Sequence, residues 1–499
     1  MSNIRVTYTG LISFATNLIS VITGLIFVIM VTRFLTVEEF GTWGLISGLI
    51  AYAVIISPVV CYWSTREVAR KEKSGKTAIT TNSSLSIVGI TIYLIISYFV
   101  AKQSGLDESI IIFSAILIPV IFLNDILIAI IKGWKTHSLN YGLLSFEISK
   151  ILFLVILVFV FDLGLFGVIL TVFLAYIPSI IILFILNLPV IKNEFDINYI
   201  KKWFRLFWVP TYRQIPNTIL LTDVVIFSAI TGSVVGIAYF TAARTIGYLV
   251  DHTRAIAQAL YPKLLEGGKQ QFLQENLMLF LFLSFPLVSS SIVFAKAGLF
   301  LLNPIYVVAS PVVIFLALRA FLIALNSNFF LSLQGLEKVD LEKKSSFKDY
   351  AKSQLMLHPT LQLIRSGIYF GILAVIFFFS SGEEFMIELI SIWALIGLIV
   401  EIPLTVYMIK LVKIQFTLNL DWIAICKYLA ITILVSLLTY YLIENFLEFN
   451  ENAIEFLIVL IPYVIFSITL YFVISALVER RAKILAKKII EEVNSKIRR

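Results

Sequence analysis

Residues 11–31 read LISFATNLISVITGLIFVIMV, twenty-one positions without a charge. At 1.5 Å per helical residue this run covers the ~30 Å of a bilayer's hydrocarbon core. It is longer than the apolar core of a secretory peptide and lacks an A-x-A-like cleavage site, so it reads as a spanning helix. The same window of about 20 apolar residues recurs along the chain. It predicts spans at 8–32, 41–63, 80–101, 110–131, 139–161, 164–188, 208–231, 235–261, 276–300, 305–333, 355–380, 386–410, 421–443 and 453–477, fourteen in all.

Composition agrees. Of 499 residues, 60% are hydrophobic and only 14% charged, with a mean hydropathy of +0.97. A soluble chain carries roughly 25% charged residues, so soluble multidomain, disordered and nucleic-acid-binding classes are excluded. The expected class is an all-α, multi-pass protein of the cell membrane. Cys61 and Cys426 are far apart in apolar stretches, and His137, His252 and His358 lack ligand spacing, so no disulfide framework, metal or other cofactor is expected.

The net charge of +8 is read by position. With the N-terminus inside, 29 of the 39 Lys and Arg fall in inner loops and tails, and three, Arg33, Lys102 and Lys296, fall outside. That asymmetry is the positive-inside pattern and places both termini in the cytoplasm. Basicity is thus a topology signal, and nucleic acid is not an expected partner. The outer loops reach about a dozen residues at most, too short to house a glycosyltransferase or polymerase site. The inner stretch 337–353 reads as a hydrated linker, and 193–208 (NEFDINYIKKWFRLFW) as an aromatic and cationic belt in the headgroup plane. In the tail, Leu485, Ile489, Val493 and Ile497 recur every four residues among Lys and Arg, the pattern of a helix lying on an anionic leaflet or of a solvated topogenic tail.

An internal repeat is visible. Asn124 precedes Gly133 in the fourth span by the same interval as Asn326 precedes Gly335 in the tenth, and Thr36–Gly41 matches Thr231–Gly236. Prolines 58, 119, 178, 216, 286, 311, 403 and 462 sit within spans, where kinks are tolerated. The organisation expected is a six-helix lobe at 1–190, an interfacial linker at 191–207, a pseudo-symmetric six-helix lobe at 208–415, two extra helices at 416–478 and a basic amphipathic tail at 479–499.

The stretch VTRFLTVEEFGTWGL at 31–45 resembles the R-x-L-x-x-E-E-[FY]-G turn of Wzx-type polysaccharide flippases, members of the multidrug/oligosaccharidyl-lipid/polysaccharide exporter superfamily. Thr65–Arg70 (TREVAR), Val235–Arg244 (VGIAYFTAAR) and Leu333–Lys338 (LQGLEK) resemble further segments of that family in the same order. The resemblance implies two lobes in a V that move a polyprenyl-(pyro)phosphate-linked oligosaccharide from the inner to the outer leaflet by alternating access, without enzymatic activity. It also implies membrane lipids, glycan polymerase and glycosyltransferases as partners. Two relatives in the superfamily stay open, a cation-coupled multidrug exporter and a lipid II flippase; a membrane glycosyltransferase or ligase is a remote alternative. A drug exporter is expected to use an amino-lobe carboxylate, whereas the first span has no charge.

Seven basic residues remain within spans: Lys150, Arg213, Arg244, Arg254, Arg319, Arg365 and Lys427. Each costs about 3 kcal/mol near a helix centre, so they are expected to face water, a counter-charge or an anionic ligand. The candidate cleft site is Arg244, Arg319 and Lys150 near mid-span, with Arg213, Arg254, Arg365 and Asp223. Lys427 is near enough to a helix end to snorkel. Pairing of Asp223 with Arg244, or of Asp251 with Arg254 at i,i+3, is the competing explanation. The surplus suits a pyrophosphate, for which Arg offers two donors in a plane.

Reporter fusions after Ser74, Ser345 and Arg499 are expected to read cytoplasmic, and fusions near Glu384 and Asn450 external. One reversed loop would break the assignment of the spans flanking it.

Overall fold

The computed structural model describes residues 19–20, 22–135, 138–205, 207–254, 270–334, 353–379, 386–416, 420–480 and 482–483. The expected linker at 337–352, His137, Gly335 and the amphipathic stretch 485–497 lie outside them. Among the described residues there is no strand. The chain is an all-α, multi-pass membrane protein.

Eleven helical stretches are long and apolar enough to cross a bilayer, among the described residues. The pair α10 (Trp208–Leu220) and α11 (Thr222–Thr231), bent by 41°, is together long and apolar enough for a twelfth. A shorter apolar helix, α1 (Ile22–Phe34), falls within the expected first span, and α12 (Val235–Gly247) opens the expected eighth; both of those spans run partly outside the described residues.

The chain divides into two compact units. The first comprises Met1–Ala238 and Phe370–Glu383. It holds α1, then α2 (Val37–Ala53), which passes through a 3₁₀ turn into α3 (Ser57–Ala69) with Pro58 in its first turn. Next come α4 (Gly75–Ser104), α5 (Glu108–Ser114), α6 (Leu117–Trp134), α7 (Leu139–Leu154) and α8 (Gly164–Ile191). The short α9 (Ile197–Arg205), α10 and α11 complete it. The second unit, Tyr239–Tyr369 and Glu384–Arg499, is built on α13 (Gln270–Val293), α14 (Ala295–Leu302), α15 (Ser310–Gln334), α16 (Gln354–Phe379) as far as Tyr369, α17 (Met386–Gln415), α18 (Trp422–Phe446) and α19 (Ala453–Val478).

These helices are apolar on every side, so hydrophobicity alone cannot choose an inner face; small and hydroxylated residues choose it instead. On α19 the buried positions Phe456, Leu460, Ser467, Tyr471 and Ser475 run along one stripe, while Ile454, Ile458, Ile465 and Leu477 are exposed as lipid-facing residues. Tyr471 donates its hydroxyl to the Phe282 carbonyl at 2.8 Å, pinning α19 to α13.

The sequence repeat has a structural counterpart. In the first unit, Asn124 on α6 accepts a hydrogen bond from Ser179 on α8 at 3.2 Å. In the second, Asn326 on α15 donates to Glu401 and Thr405 on α17 at 2.9 and 3.0 Å. Each asparagine reaches the span two further along, beside Pro178 in one case and Pro403 in the other.

The E-E-F-G turn is explained by two contacts in the first unit. Thr36 and Glu39 form a reciprocal capping box at the start of α2, and Glu39 also accepts the Leu165 backbone N–H at 3.2 Å, tying α2 to the first turn of α8. Gly41 lets the chain before α12 close in: a Cβ there would stand 2.1 Å from the Val234 carbonyl oxygen. Gly41→Ala is therefore expected to cut the folded yield in detergent severely, since backbone must move to admit it. Gly24→Ala, where a Cβ meets nothing within 4 Å, should leave the thermal midpoint unchanged or raised. Equal behaviour of the two variants would contradict this packing.

Candidate functional site

In the second unit, Glu401 on α17 is 1% exposed and accepts two contacts from Arg365 Nη1 on α16, at 2.9 and 2.6 Å. Asn326 on α15 donates to the same carboxylate, so three spans meet at one charge. Arg365 Nε–H has no hydrogen-bond acceptor among the described residues.

Beside this pair lies Arg319 on α15, 5% exposed. Its Nη1 donates to the Tyr369 hydroxyl at 3.3 Å, and its guanidinium carbon sits 4.6 Å from the centre of the Tyr369 ring. Trp393 Nε1 donates to the same hydroxyl at 2.8 Å, so the phenol is fixed from two sides. Gly397 is the reason the guanidinium can lie against α17, because a Cβ there would be 2.5 Å from Arg319 Nη1. Phe240 on α12 stacks on Trp393 with centroids 3.8 Å apart. Arg244, half-buried, is one helical turn beyond Phe240 and so shares the face of α12 that meets Trp393. Arg254, at the end of the described segment, pairs with Asp251 at 2.6 Å, the i,i+3 pairing read from the sequence.

In the first unit, Lys150 on α7 forms a 2.6 Å ion pair with Glu147. Glu147 also accepts hydrogen bonds from Ser20 at 2.8 Å and Thr23 at 2.5 Å, in the region of the expected first span. Phe27 and Phe146 each present a ring 5.3 Å from Lys150 Nζ. Arg213 is half-buried on α10, and Asp223 is buried at the start of α11, where its Oδ1 accepts the Val224 N–H at 2.9 Å. Asp223 belongs to the first unit and Arg244 to the second. Lys427 extends to the end of α19, where it meets Glu479 at 3.1 Å.

Sequence reasoning passed over three groups. The hydroxyls of Ser20 and Thr23 were invisible to a search for charge, although both lie on one face three residues apart. Tyr369 and Trp393 read only as apolar bulk. Glu67, within the TREVAR segment, is 1% exposed; it accepts Lys202 Nζ at 2.8 Å and Trp203 Nε1 at 3.0 Å, and thereby docks α9 on the end of α3. Partial burial, reinforced by the carboxylates of Glu72, Glu67 and Asp196, pushes the phenol of Tyr199 on α9 above its ordinary value. Among the described residues no group of His, Cys, Asp and Glu could hold a metal ion.

No protein-family profile matches the sequence, and no characterised protein matches it at the level of sequence. Solved structures do. The chain is similar to the lipid II flippase MurJ in an inward closed conformation, with a TM-score of 0.66 and 15% identity over 94% of this chain and 99% of that one. It is similar to a multidrug resistance MATE family transporter of the MOP superfamily in inward-facing and outward-facing conformations. The TM-scores are 0.57 and 0.52 and the identities 13% and 14%, over 79% and 82% of this chain and 94% and 95% of those. The fold is that of these transporters.

Removing one partner of a buried ion pair strands the other in hydrocarbon. Glu401→Ala is expected to destabilise the protein by about 3–5 kcal/mol, read as a lower thermal midpoint in detergent. The double variant Arg365→Leu with Glu401→Leu should recover most of that loss. If the single variant were as stable as the unaltered chain, the pair would not hold α16 to α17.

Proposed function

We propose that this protein is a flippase that moves a polyprenyl-(pyro)phosphate-linked oligosaccharide from the inner to the outer leaflet by alternating access, for cell-surface polysaccharide or glycan synthesis. The observation that carries this reading is the extent of the fold match. The lipid II flippase, whose name states a lipid-linked cargo, is matched over 99% of its length by 94% of this chain, whereas the multidrug transporters leave about a fifth of this chain unmatched.

The chemistry of the second unit supports it. Tyr369 and Gly397 hold the Arg319 guanidinium flat in the protein interior, where its planar fork suits two oxygens of a phosphate. Arg365 retains an unspent Nε–H beyond its bond to Glu401, and Arg244 supplies a further cation from α12. Arg319 and Arg244 are the leading headgroup contacts in this reading. Arg254, in the same unit, is paired with Asp251; Lys150, Arg213 and Asp223 belong to the first unit, with Lys150 already engaged by Glu147.

A second reading, a cation-coupled drug exporter, draws on the MATE-like fold and on Asp125, a half-buried acid on α6 of the first unit. The two readings separate on one preparation. In proteoliposomes the unaltered chain should transfer undecaprenyl pyrophosphate carrying a labelled oligosaccharide between leaflets and should not accumulate cationic dyes. Arg319→Ala should lower transfer at least tenfold and Arg319→Lys should restore it in part. Gly397→Ala, which displaces the guanidinium without removing its charge, should lower transfer too, while Asp125→Asn leaves it intact. Dye transport abolished by Asp125→Asn, with no movement of the glycolipid, would replace the flippase reading.

A further inference from the structure

The first unit carries an open surface pocket of about 490 Å³ where α3, α6 and α8 end together. Val68, Pro189 and Val190 form its apolar wall, and Lys71, Glu72, Lys73 and Asn193 its polar rim. It lies among the Arg66–Lys76 loop residues that the charge pattern assigns to the inner side.

Two features are not explained by packing. The first is Trp134, 37% exposed at the pocket edge. A tryptophan that serves only as a membrane-interface anchor turns its N–H toward headgroups and water. Here Nε1 instead donates inward to Asn187 at 2.9 Å, and Asn187 is itself held to the Leu127 carbonyl at 2.9 Å. The ring is fixed, with Lys135 Nζ 5.7 Å from its centre, and the rest of its exposed surface is apolar. The second is Lys71, whose φ of +64° places it in the left-handed region just beyond the end of α3. Glycine is preferred at that position because a side chain there is strained. The backbone there is fixed by the helix end, with the Lys71 and Glu72 N–H groups reaching the Val68 and Glu67 carbonyls at 2.9 Å, and the Lys71 side chain is left exposed. Glu72, the acid between Lys71 and Lys73, is 3.9 Å from Lys202. Among the described residues neither Lys71 nor Lys73 is in an ion pair.

An indole face beside an asparagine suits the C–H face and hydroxyls of a pyranose, and two ammonium groups at headgroup depth suit phosphate. We propose that this pocket is a docking site for the phosphorylated sugar headgroup of the cargo, with Trp134 as the sugar platform and Lys71 and Lys73 as the phosphate contacts. The inference rests on the function proposed above and deepens it, since it separates a first encounter at the inner surface of the first unit from the Arg319 contacts within the second.

The test uses the full chain in nanodiscs with undecaprenyl pyrophosphate–N-acetylglucosamine as the probe, read by equilibrium binding and by hydrogen-exchange protection of residues 68–73 and 190–193. Lys71→Gly suits its backbone position and is expected to fold as well as the unaltered chain, so Lys71→Gly with Lys73→Gln removes charge alone. That double variant and Trp134→Ala should each bind the probe about tenfold more weakly and lose the protection, while Trp134→Phe retains most of both. Arg319→Ala should lose transfer and keep the protection at 68–73. Unchanged binding in the lysine and Trp134→Ala variants overturns the docking site, as does equal displacement of the probe by phosphatidylglycerol, which would make bulk lipid the occupant. Protection at 68–73 in a chain that transfers no glycolipid would overturn the flippase function and leave the docking site standing.

Discussion

Glu401 carries a negative charge inside a bundle surrounded by hydrocarbon, and the arrangement of the second unit answers that fact. Water cannot solvate the carboxylate there, so a guanidinium from α16 and an amide from α15 do so, 2.6 and 2.9 Å away. Once Arg365 and Asn326 are committed, the three spans have one relative placement, because sliding any of them by a turn would strand a charge. The same logic recurs in the first unit, where Glu147 takes one ammonium and two hydroxyls. Apolar packing then fills in around these polar joints. Leu273, Phe280, Ala324, Leu404 and Met408 form the cluster beside the Glu401 junction, and Met278, Phe282, Tyr428 and Tyr471 carry it on to α18 and α19.

The arrangement separates two jobs for buried cations. Arg365 and Lys150 each have a carboxylate within 2.6 Å and hold helices together. Arg319 is held by a phenol and an aromatic face, on the patch of α17 opened by Gly397, and Arg244 projects from the face of α12 that packs on Trp393. The flippase function proposed above would need both kinds, one to keep spans in register and one to lend positive charge to cargo.

Much of the fold was legible in the sequence because its deciding signal is local: about twenty apolar residues make a span wherever they occur. The eleven long apolar helices among the described residues coincide with expected spans, and Asn124 and Asn326, paired by the sequence repeat, each bond the span two further along, one as acceptor and one as donor. The site was less legible because its partners are remote in sequence. Asp251 and Arg254 are three residues apart and pair as the helix period dictates, but Arg365 finds Glu401 thirty-six residues away and Arg319 finds Tyr369 fifty away. Glu67 lies in the TREVAR segment, and only the fold brings Lys202 and Trp203 onto it. Nor did Ser20 and Thr23 announce themselves, since hydroxyls in spanning helices usually bond their own backbone.

The proposed function requires that this chain bind a lipid carrying a phosphorylated glycan. The most direct measurement is mass spectrometry of the lipids that remain with the protein when it is extracted from its native membrane in polymer-bounded discs, without detergent. The account predicts polyprenyl-phosphate-linked sugars at a stoichiometry approaching one per chain, diminished when Arg319 is replaced by alanine. Discs that hold only bulk phospholipid, in the same proportions for both proteins, would contradict it.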